Sequence, residues 1–348
     1  MRPILYSASR DSTNIRAWDP LSGLQVSSVE TRGRIPPCGV AVAPTTTAFV
    51  ASAATKQHLT LSYLNSAKSV QCATAECMGP VALTADGVFL ATGGCSGKVY
   101  LWQTCSGNLL RSWRGHYKSV TALRFVRGDS CLVSGGEDAL ICVWPLSQLV
   151  GAGQNAHAQA PAVPPMYTWT GHSLPITYLW CEKGYGRGQW RIVSSSCDHT
   201  CKVWNLSLGN RRCTCSFVFP ASVNCAVLDT QDTLYAGGED GIIAVLDFAN
   251  SQAQPSALAT RRIPGFDCQV AGGPCSCATG PTRSLLRSRN NAPVTCLEFM
   301  VSRSVLVSGH GDGSASYFFV APDPYWGGGS QIVVVGRTAL TRISALPC

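Results

Sequence analysis

The chain has 348 residues, 45% apolar and only 13% charged, so it can bury a large core and is neither disordered nor fibrous. Its formal net charge of +8 is spread along the chain, with no block of like charges that would mark a tail. The 34 glycines and 20 prolines suit many short strands joined by tight turns.

In chain order, one pattern recurs. A β-rich run ends in a small hydroxyl residue, and two glycines or small residues follow. An acid stands four positions after the hydroxyl, and a second β-rich run ends six positions beyond it in tryptophan. The first copy is Leu5-Tyr6-Ser7-Ala8-Ser9-Arg10-Asp11, with Trp18-Asp19 one residue late. A faint copy spans Phe49 to Tyr63, with Tyr63 in place of tryptophan. Leu90 to Ser96 follows, with serine in the acidic slot, and ends at Trp102. The clearest copies run from Leu132 to Asp138, ending at Trp144, and from Ile192 to Asp198, ending at Trp204. Leu234 to Asp240 puts Leu246 in the tryptophan slot, and Leu306 to Asp312 puts Phe318 there.

Ser96 and Asp138 are 42 residues apart, as are Asp198 and Asp240. That period is the four-stranded blade of a WD repeat. The fold expected is therefore all-β, a seven-bladed WD40 β-propeller over residues 1–348 as a single domain. Two steps are longer, 60 residues from Asp138 to Asp198 and 72 from Asp240 to Asp312. The surplus falls in segments rich in small residues, read as surface loop insertions at about 149–166 and 250–291, because the repeat resumes after each. The first copy lacks an inner strand of its own. Gln331–Val335 is read as the outer strand of the last blade and Ala339–Leu346 as the missing inner strand of the first, so that both chain ends close the ring.

The 18 cysteines include Cys131, Cys142, Cys201, Cys225 and Cys296 inside strand-like runs, where a thiol behaves as a small buried hydrophobe. No secretory apolar region follows Met1-Arg2-Pro3, so free thiols in a reducing compartment are expected. Zinc is the alternative, at Cys213/Cys215 and Cys275/Cys277. Their one-residue spacing and the lack of a following histidine pair argue against it, and no metal or other cofactor is expected. The uncharged stretch from Ile35 to Thr55 holds three prolines and reads as two strands and a turn, so no membrane role is expected.

Gly115-His116 and Gly171-His172 precede two of the copies. They complete the sets His116, Ser134, Asp138, Trp144 and His172, Ser194, Asp198, Trp204. Serine, histidine and aspartate invite a catalytic-triad reading. Neither serine lies in a Gly-x-Ser-x-Gly elbow, and the set repeats on the blade period together with a tryptophan. The reading favoured is a structural tetrad in which Asp holds His, His meets the Ser hydroxyl, and that hydroxyl meets the indole N–H. No catalytic residue is therefore expected. Lys118 and the loose cluster Arg283, Arg287 and Arg289 are the candidate partner or RNA contacts. A solvated surface is the plainer reading of these charges.

The repeat resembles the WD40 family over nearly the whole chain. Its middle resembles more narrowly the WD repeat-containing protein 18 family and its fungal counterpart, the WD subunit of the Rix complex. The segments that carry this are Ser106-Gly107-Asn108-Leu109-Leu110, Gly115-His116-Tyr117 with Val120 and Leu123, and Ser134-Gly135-Gly136-Glu137-Asp138 through Val143-Trp144-Pro145-Leu146. Leu174-Pro175-Ile176-Thr177 and Asp198-His199-Thr200-Cys201-Lys202-Val203-Trp204 follow in the same order. The resemblance implies a non-catalytic scaffold of the nucleus, nucleolus and nucleoplasm. It implies work with the helical-repeat subunits of the Rix complex and a remodelling ATPase on pre-60S particles, in the processing of the internal transcribed spacer of pre-rRNA. The family's C-terminal helix, used for self-association, has no counterpart before Cys348, so dimerisation through it is not implied. The alternative reading is a generic WD40 adaptor, such as a substrate receptor of a ubiquitin ligase. The arginine such receptors often place after Trp-Asp is missing, since Pro20-Leu21 follows Trp18-Asp19.

Overall fold

A computed structural model of the chain describes residues 5–8, 13–19, 24–30, 33–36, 38–43, 48–52, 57–63, 66–126, 128–150, 163–181, 190–206, 213–229, 233–247, 260–262, 282–287, 291–300, 305–322, 330–339 and 343–345. Among these, the strands form seven sheets in which neighbours run antiparallel, apart from one short parallel addition.

The first sheet has the order Ile343–Ala345, Leu5–Ala8, Asn14–Trp18, Gln25–Glu30, so its inner strand comes from the far end of the chain. Leu5 pairs with Ala345 and Ser7 with Ile343. The second sheet is Val40–Val42, Ala48–Ser52, His58–Tyr63, Ser66–Ala73, and the third is Met78–Leu83, Phe89–Gly94, Lys98–Gln103, Leu109–Arg114. The fourth is Val120–Val126, Cys131–Gly136, Ile141–Pro145, Tyr167–Trp169. The fifth is Ile176–Cys181, Arg191–Ser196, Thr200–Asn205, Cys213–Val218, with Thr260–Arg262 added in parallel at its edge. The sixth is Val223–Leu228, Thr233–Gly238, Ile242–Asp247, Thr282–Arg287, and the seventh Val294–Met300, Val305–His310, Ser314–Pro322, Ser330–Ala339. Each inner strand touches the inner strand of the next sheet, and that of the seventh touches Ile343–Ala345 of the first.

Three features differ from the sequence reading. The segment 250–291 is not all loop, because Thr260–Arg262 and Thr282–Arg287 are strands. The second of these pairs with Ile242–Asp247, whose edge would otherwise expose its backbone groups. Arg283 and Arg287 therefore sit on an outer strand, while Arg289 lies outside the described residues. The first insertion begins with a short helix, Leu146–Val150, and most of the rest of it lies outside the described residues. Arg111 of the third sheet donates to the Gln148 carbonyl at 3.0 Å and fastens that helix to the neighbouring outer strand. Ala339 belongs to the outer strand of the seventh sheet, and the inner strand of the first is shorter than Ala339–Leu346.

The second strands Cys131–Gly136, Arg191–Ser196 and Val305–His310 are buried along their whole length. A strand covered on both faces has no polar side to present, which is why these runs read as continuous apolar and small residues rather than alternating ones. The glycine pairs have a packing role. A Cβ on Gly93 would stand 2.6 Å from Val120, one on Gly135 2.8 Å from Ile176, and one on Gly237 2.5 Å from Val294. In each case the obstacle opens the inner strand of the next sheet, so the first glycine sets how closely two blades approach.

The tryptophan slot does the same work farther out. Trp144 meets Trp113 of the preceding outer strand edge-on, with ring centroids 5.6 Å apart. Trp204 stacks on Trp169 at 4.8 Å and 6°. Phe217 and Leu246 share one core cluster between the fifth and sixth sheets. The ladder to the outer strand shifts register immediately before the slot residue at Trp18, Tyr63, Trp102, Trp204, Leu246 and Phe318. At Trp18, Trp102, Trp204, Leu246 and Phe318 that bulge turns the large side chain toward the preceding blade.

Candidate functional site

The four residues of the fourth sheet meet. Asp138, in the turn after Gly136, lies 2.9 Å from His116 Nδ1, and His116 Nε2 lies 2.8 Å from Ser134 Oγ. Trp144 Nε1 donates to the same hydroxyl at 2.9 Å. In the tautomer carrying hydrogen on Nδ1, the imidazole donates to Asp138, Ser134 donates to Nε2, and Ser134 accepts from the indole. Asp138 also accepts from the backbone N–H of Tyr117 at 2.9 Å and of Leu140 at 3.2 Å. Burial pushes its carboxyl upward, but these hydrogen bonds, His116 first, prevail and hold it below the usual carboxylate range.

The fifth sheet repeats the arrangement. His172 lies 2.9 Å from Asp198 and 2.7 Å from Ser194, and Trp204 donates to Ser194 at 2.9 Å. Thr200 adds a hydroxyl 2.6 Å from Asp198 Oδ1. Burial again opposes ionisation, and His172 and Thr200 overcome it, leaving Asp198 well below its ordinary range.

Chemically, these sets have the order of a triad and the surroundings of a core. Ser134 and Ser194 are both 0% exposed, and each hydroxyl already holds two partners. A nucleophile needs an open approach and donors placed for a developing oxyanion. Gly136 explains the second glycine of the pair, since a Cβ there would stand 2.6 Å from His116 Nδ1.

The other sheets solve the same problem with different residues. In the third, Thr92 accepts from Trp102 at 3.1 Å, and the acid has changed places. Glu76, in the loop that enters the sheet, accepts from the backbone and hydroxyl of Ser96 at 2.7 and 2.6 Å and from Tyr100 at 2.6 Å. Despite the upward push of burial, these hydrogen bonds lower its pKa to about 2. In the seventh sheet, the buried Ser308 meets His310 of its own strand at 2.9 Å. In the sixth, Ala236 stands in the hydroxyl slot and Leu246 in the indole slot, so donor and acceptor are both replaced by apolar groups. Serine in the acidic slot signals the third arrangement, but the histidine of the seventh has no signal in the repeat pattern.

The sequence offers no convergent set of titratable residues at the axis, yet the structure brings one together. Arg124 Cζ lies 4.9 Å from the ring centroid of Tyr178, on the inner strands of the fourth and fifth sheets. Burial pulls the guanidinium down, while Tyr178, Cys38 and Glu298 outweigh it and raise its pKa. Burial is also the main reason the Tyr178 phenol is pushed up. The guanidinium over the phenol ring ties the inner strands of the fourth and fifth sheets together.

The remaining sequence candidates are apart from one another. Lys118 is exposed in the loop that carries His116, whereas Arg283 and Arg287 lie on the outer strand of the sixth sheet. Cys131, Cys142, Cys201, Cys225 and Cys296 are buried and form no disulfide. Burial pushes the Cys142 and Cys201 thiols up to about 12. Cys213 donates to the Cys215 carbonyl at 2.8 Å, and Cys275/Cys277 lies outside the described residues. Among the described residues, no group of three or more His, Cys, Asp or Glu could hold a metal ion, and no helix is long and apolar enough to cross a membrane.

The family model "WD domain, G-beta repeat" matches residues 107–145 and 164–205, the fourth and fifth sheets with their approaches. The chain carries WD40 repeats. Relatives of this WD40-repeat chain include the human "WD repeat-containing protein 18", 32% identical over 240 residues, covering 68% of this chain and 49% of that protein. "Protein ROOT INITIATION DEFECTIVE 3" of Arabidopsis thaliana is 32% identical over 229 residues, 66% of this chain and 45% of its own length. "Pre-rRNA-processing protein IPI3" of Meyerozyma guilliermondii is 36% identical over 155 residues, 44% and 33%. The chain thus spans about half the length, or less, of these relatives. A chain in "Crystal Structure of Mitotic Checkpoint Complex" superposes with a TM-score of 0.63 at 16% identity, over 88% of this chain and 81% of that one, which speaks to the propeller fold alone.

Proposed function

We propose that this WD40 chain is a non-catalytic scaffold in ribosome biogenesis, acting on large-subunit precursors during processing of the internal transcribed spacer. The observation that carries the reading is its similarity to proteins named for pre-rRNA processing and to WD repeat-containing protein 18. The saturated, buried Ser–His–Asp sets support a role without chemistry, because a serine held by two partners inside the core has no substrate to meet. In this reading, the seven sheets make one closed ring and a single domain. The partners are helical-repeat proteins of a Rix-type complex, a remodelling ATPase and the pre-60S particle, in the nucleolus and nucleoplasm.

Depletion of the protein, followed by hybridisation with spacer probes, tests this. Spacer-containing precursors should accumulate, and the tagged chain should sediment with pre-60S particles. Normal precursor levels after depletion would refute the reading.

A further inference from the structure

We propose that Cys77 and Cys95 of the third sheet are a redox-active pair, closed to a disulfide by a small disulfide of the glutathione class and reopened by small thiols. Among the described cysteines, Cys77, Cys95 and Cys105 are the exposed ones, and Cys105 stands in the turn at the other end of the third strand. Cys77 immediately precedes the inner strand Met78–Leu83, and Cys95 immediately follows the second strand Phe89–Gly94. Met78 pairs with Gly94, and Cys95 N–H donates to the Cys77 carbonyl at 3.3 Å. The ladder thus runs one residue further and sets the two cysteines directly opposite each other. Residues so placed have Cα atoms about 5.5 Å apart and side chains on one face. Disulfides span about 5.5–6 Å between Cα atoms, and their Cβ atoms stand roughly 1 Å closer than in an ordinary ladder. Both residues lie just beyond the ends of their strands, where so small a closing movement disturbs no other ladder bond.

The same contact recurs around the ring with other residues. Glu137 N–H meets the Ser119 carbonyl, Cys197 N–H that of Pro175, Glu239 N–H that of Ser222, and Gly311 N–H that of Pro293, at 2.8 to 3.0 Å. Of these sheets, the third alone fills both positions with thiols. It also has Glu76 in the entry loop where the fourth and fifth have the histidine that joins loop to turn. A Cys77–Cys95 bond joins the same two segments covalently. In the reduced chain, Cys95 S–H donates to Glu76 Oε2 at 3.1 Å. Glu76 first, then burial and Cys77, raise the pKa of this thiol and hold it protonated, so Cys77 opens the exchange. The Cys77 sulfur attacks the small disulfide, forms a mixed disulfide and releases one small thiol. The Cys95 sulfur then attacks the Cys77 sulfur, and the second small thiol leaves. The chain gives up two electrons and two protons, and the small disulfide takes them up as two thiols. Glu76 loses its thiol donor and keeps Ser96 and Tyr100.

The test uses the purified full chain, incubated with oxidised or reduced glutathione and then alkylated. Trypsin with a protease that cuts after acidic residues cleaves at Glu76, Asp86 and Lys98, and so separates Cys72, Cys77, Cys95 and Cys105. Mass spectrometry should find Cys77 linked to Cys95 after oxidised glutathione, and both alkylated after reduced glutathione. Closing a loop of this length should raise the thermal midpoint by on the order of 4 °C. Cys77→Ser and Cys95→Ser, each at an exposed position, should melt like the reduced parent in either solution. Absence of the linked peptide, bonding of either cysteine to Cys72 or Cys105 instead, or identical melting of the oxidised parent and its serine variants would each overturn the proposal.

Discussion

The Glu76 carboxylate takes both the backbone N–H and the hydroxyl of Ser96, at 2.7 and 2.6 Å. The third sheet thereby keeps a carboxylate-anchored contact between entry loop and turn, with serine in place of histidine as its partner, while exchanging which side supplies the acid. The fourth and fifth sheets place aspartate in the turn and histidine in the loop.

Acid should loosen the third blade through this contact. The folded-state pKa of Glu76 is depressed, from 4.5 to about 2, so its stabilisation is full above about 4.5 and is lost as pH falls toward about 2. Asp138 and Asp198 are lowered too and act in the same direction, below their ordinary 3.8. Circular dichroism across pH 6 to 2 should show falling thermal midpoints, and Glu76→Gln should flatten the decline while lowering the midpoint at pH 7.

The sixth sheet predicts how the tetrads respond to mutation. Ser134→Ala alone strands both the Trp144 indole N–H and the His116 nitrogen and should cost about 1–3 kcal/mol. Adding Trp144→Phe removes one of those orphaned groups, so the double variant should lose less than the two single losses combined. Urea denaturation of the single and double variants measures the coupling. The converse change, Ala236→Ser, buries a hydroxyl in the core cluster where Leu246 has replaced the indole donor, and should destabilise the chain.

Blade spacing should be sensitive to the first glycine of each pair. Gly135→Val drives a branched side chain into Ile176 and should cost at least about 1–3 kcal/mol, read as a lower thermal midpoint. Gly128, with open space around its Cβ position but φ of +60°, should lose less on replacement by asparagine, which tolerates that backbone region.

The stacked pair Trp169 and Trp204 joins two sheets, so Trp169→Ala should cost about 3–5 kcal/mol. Hydrogen exchange should accelerate in the fourth and fifth sheets together and much less in the first.

Much of the architecture was legible in sequence because a repeat exposes its own rules. The tryptophan slot could be followed through Leu246 and Phe318, since one structural demand, a large side chain turned toward the preceding blade, persists when hydrogen bonding does not. The tetrads could be read because their residues keep fixed spacing. Glu76 could not, since its loop sets its reach to Ser96 and no spacing rule covers it. The axial pair Arg124 and Tyr178 was equally hidden, because residues 54 apart meet only after two blades have packed. Thr282–Arg287 was missed because the long low-complexity stretch before it hid that the sixth blade still needed an outer strand.

The pairing of Leu5–Ala8 with Ile343–Ala345 sets a timetable for synthesis. Leu5–Ala8 leaves the ribosome ahead of the six intervening sheets and waits for Ile343–Ala345 before its own sheet is whole, so an open edge persists through translation of every intervening blade. That edge is the natural place for a chaperone to hold the nascent chain, and the place where two growing copies could exchange strands.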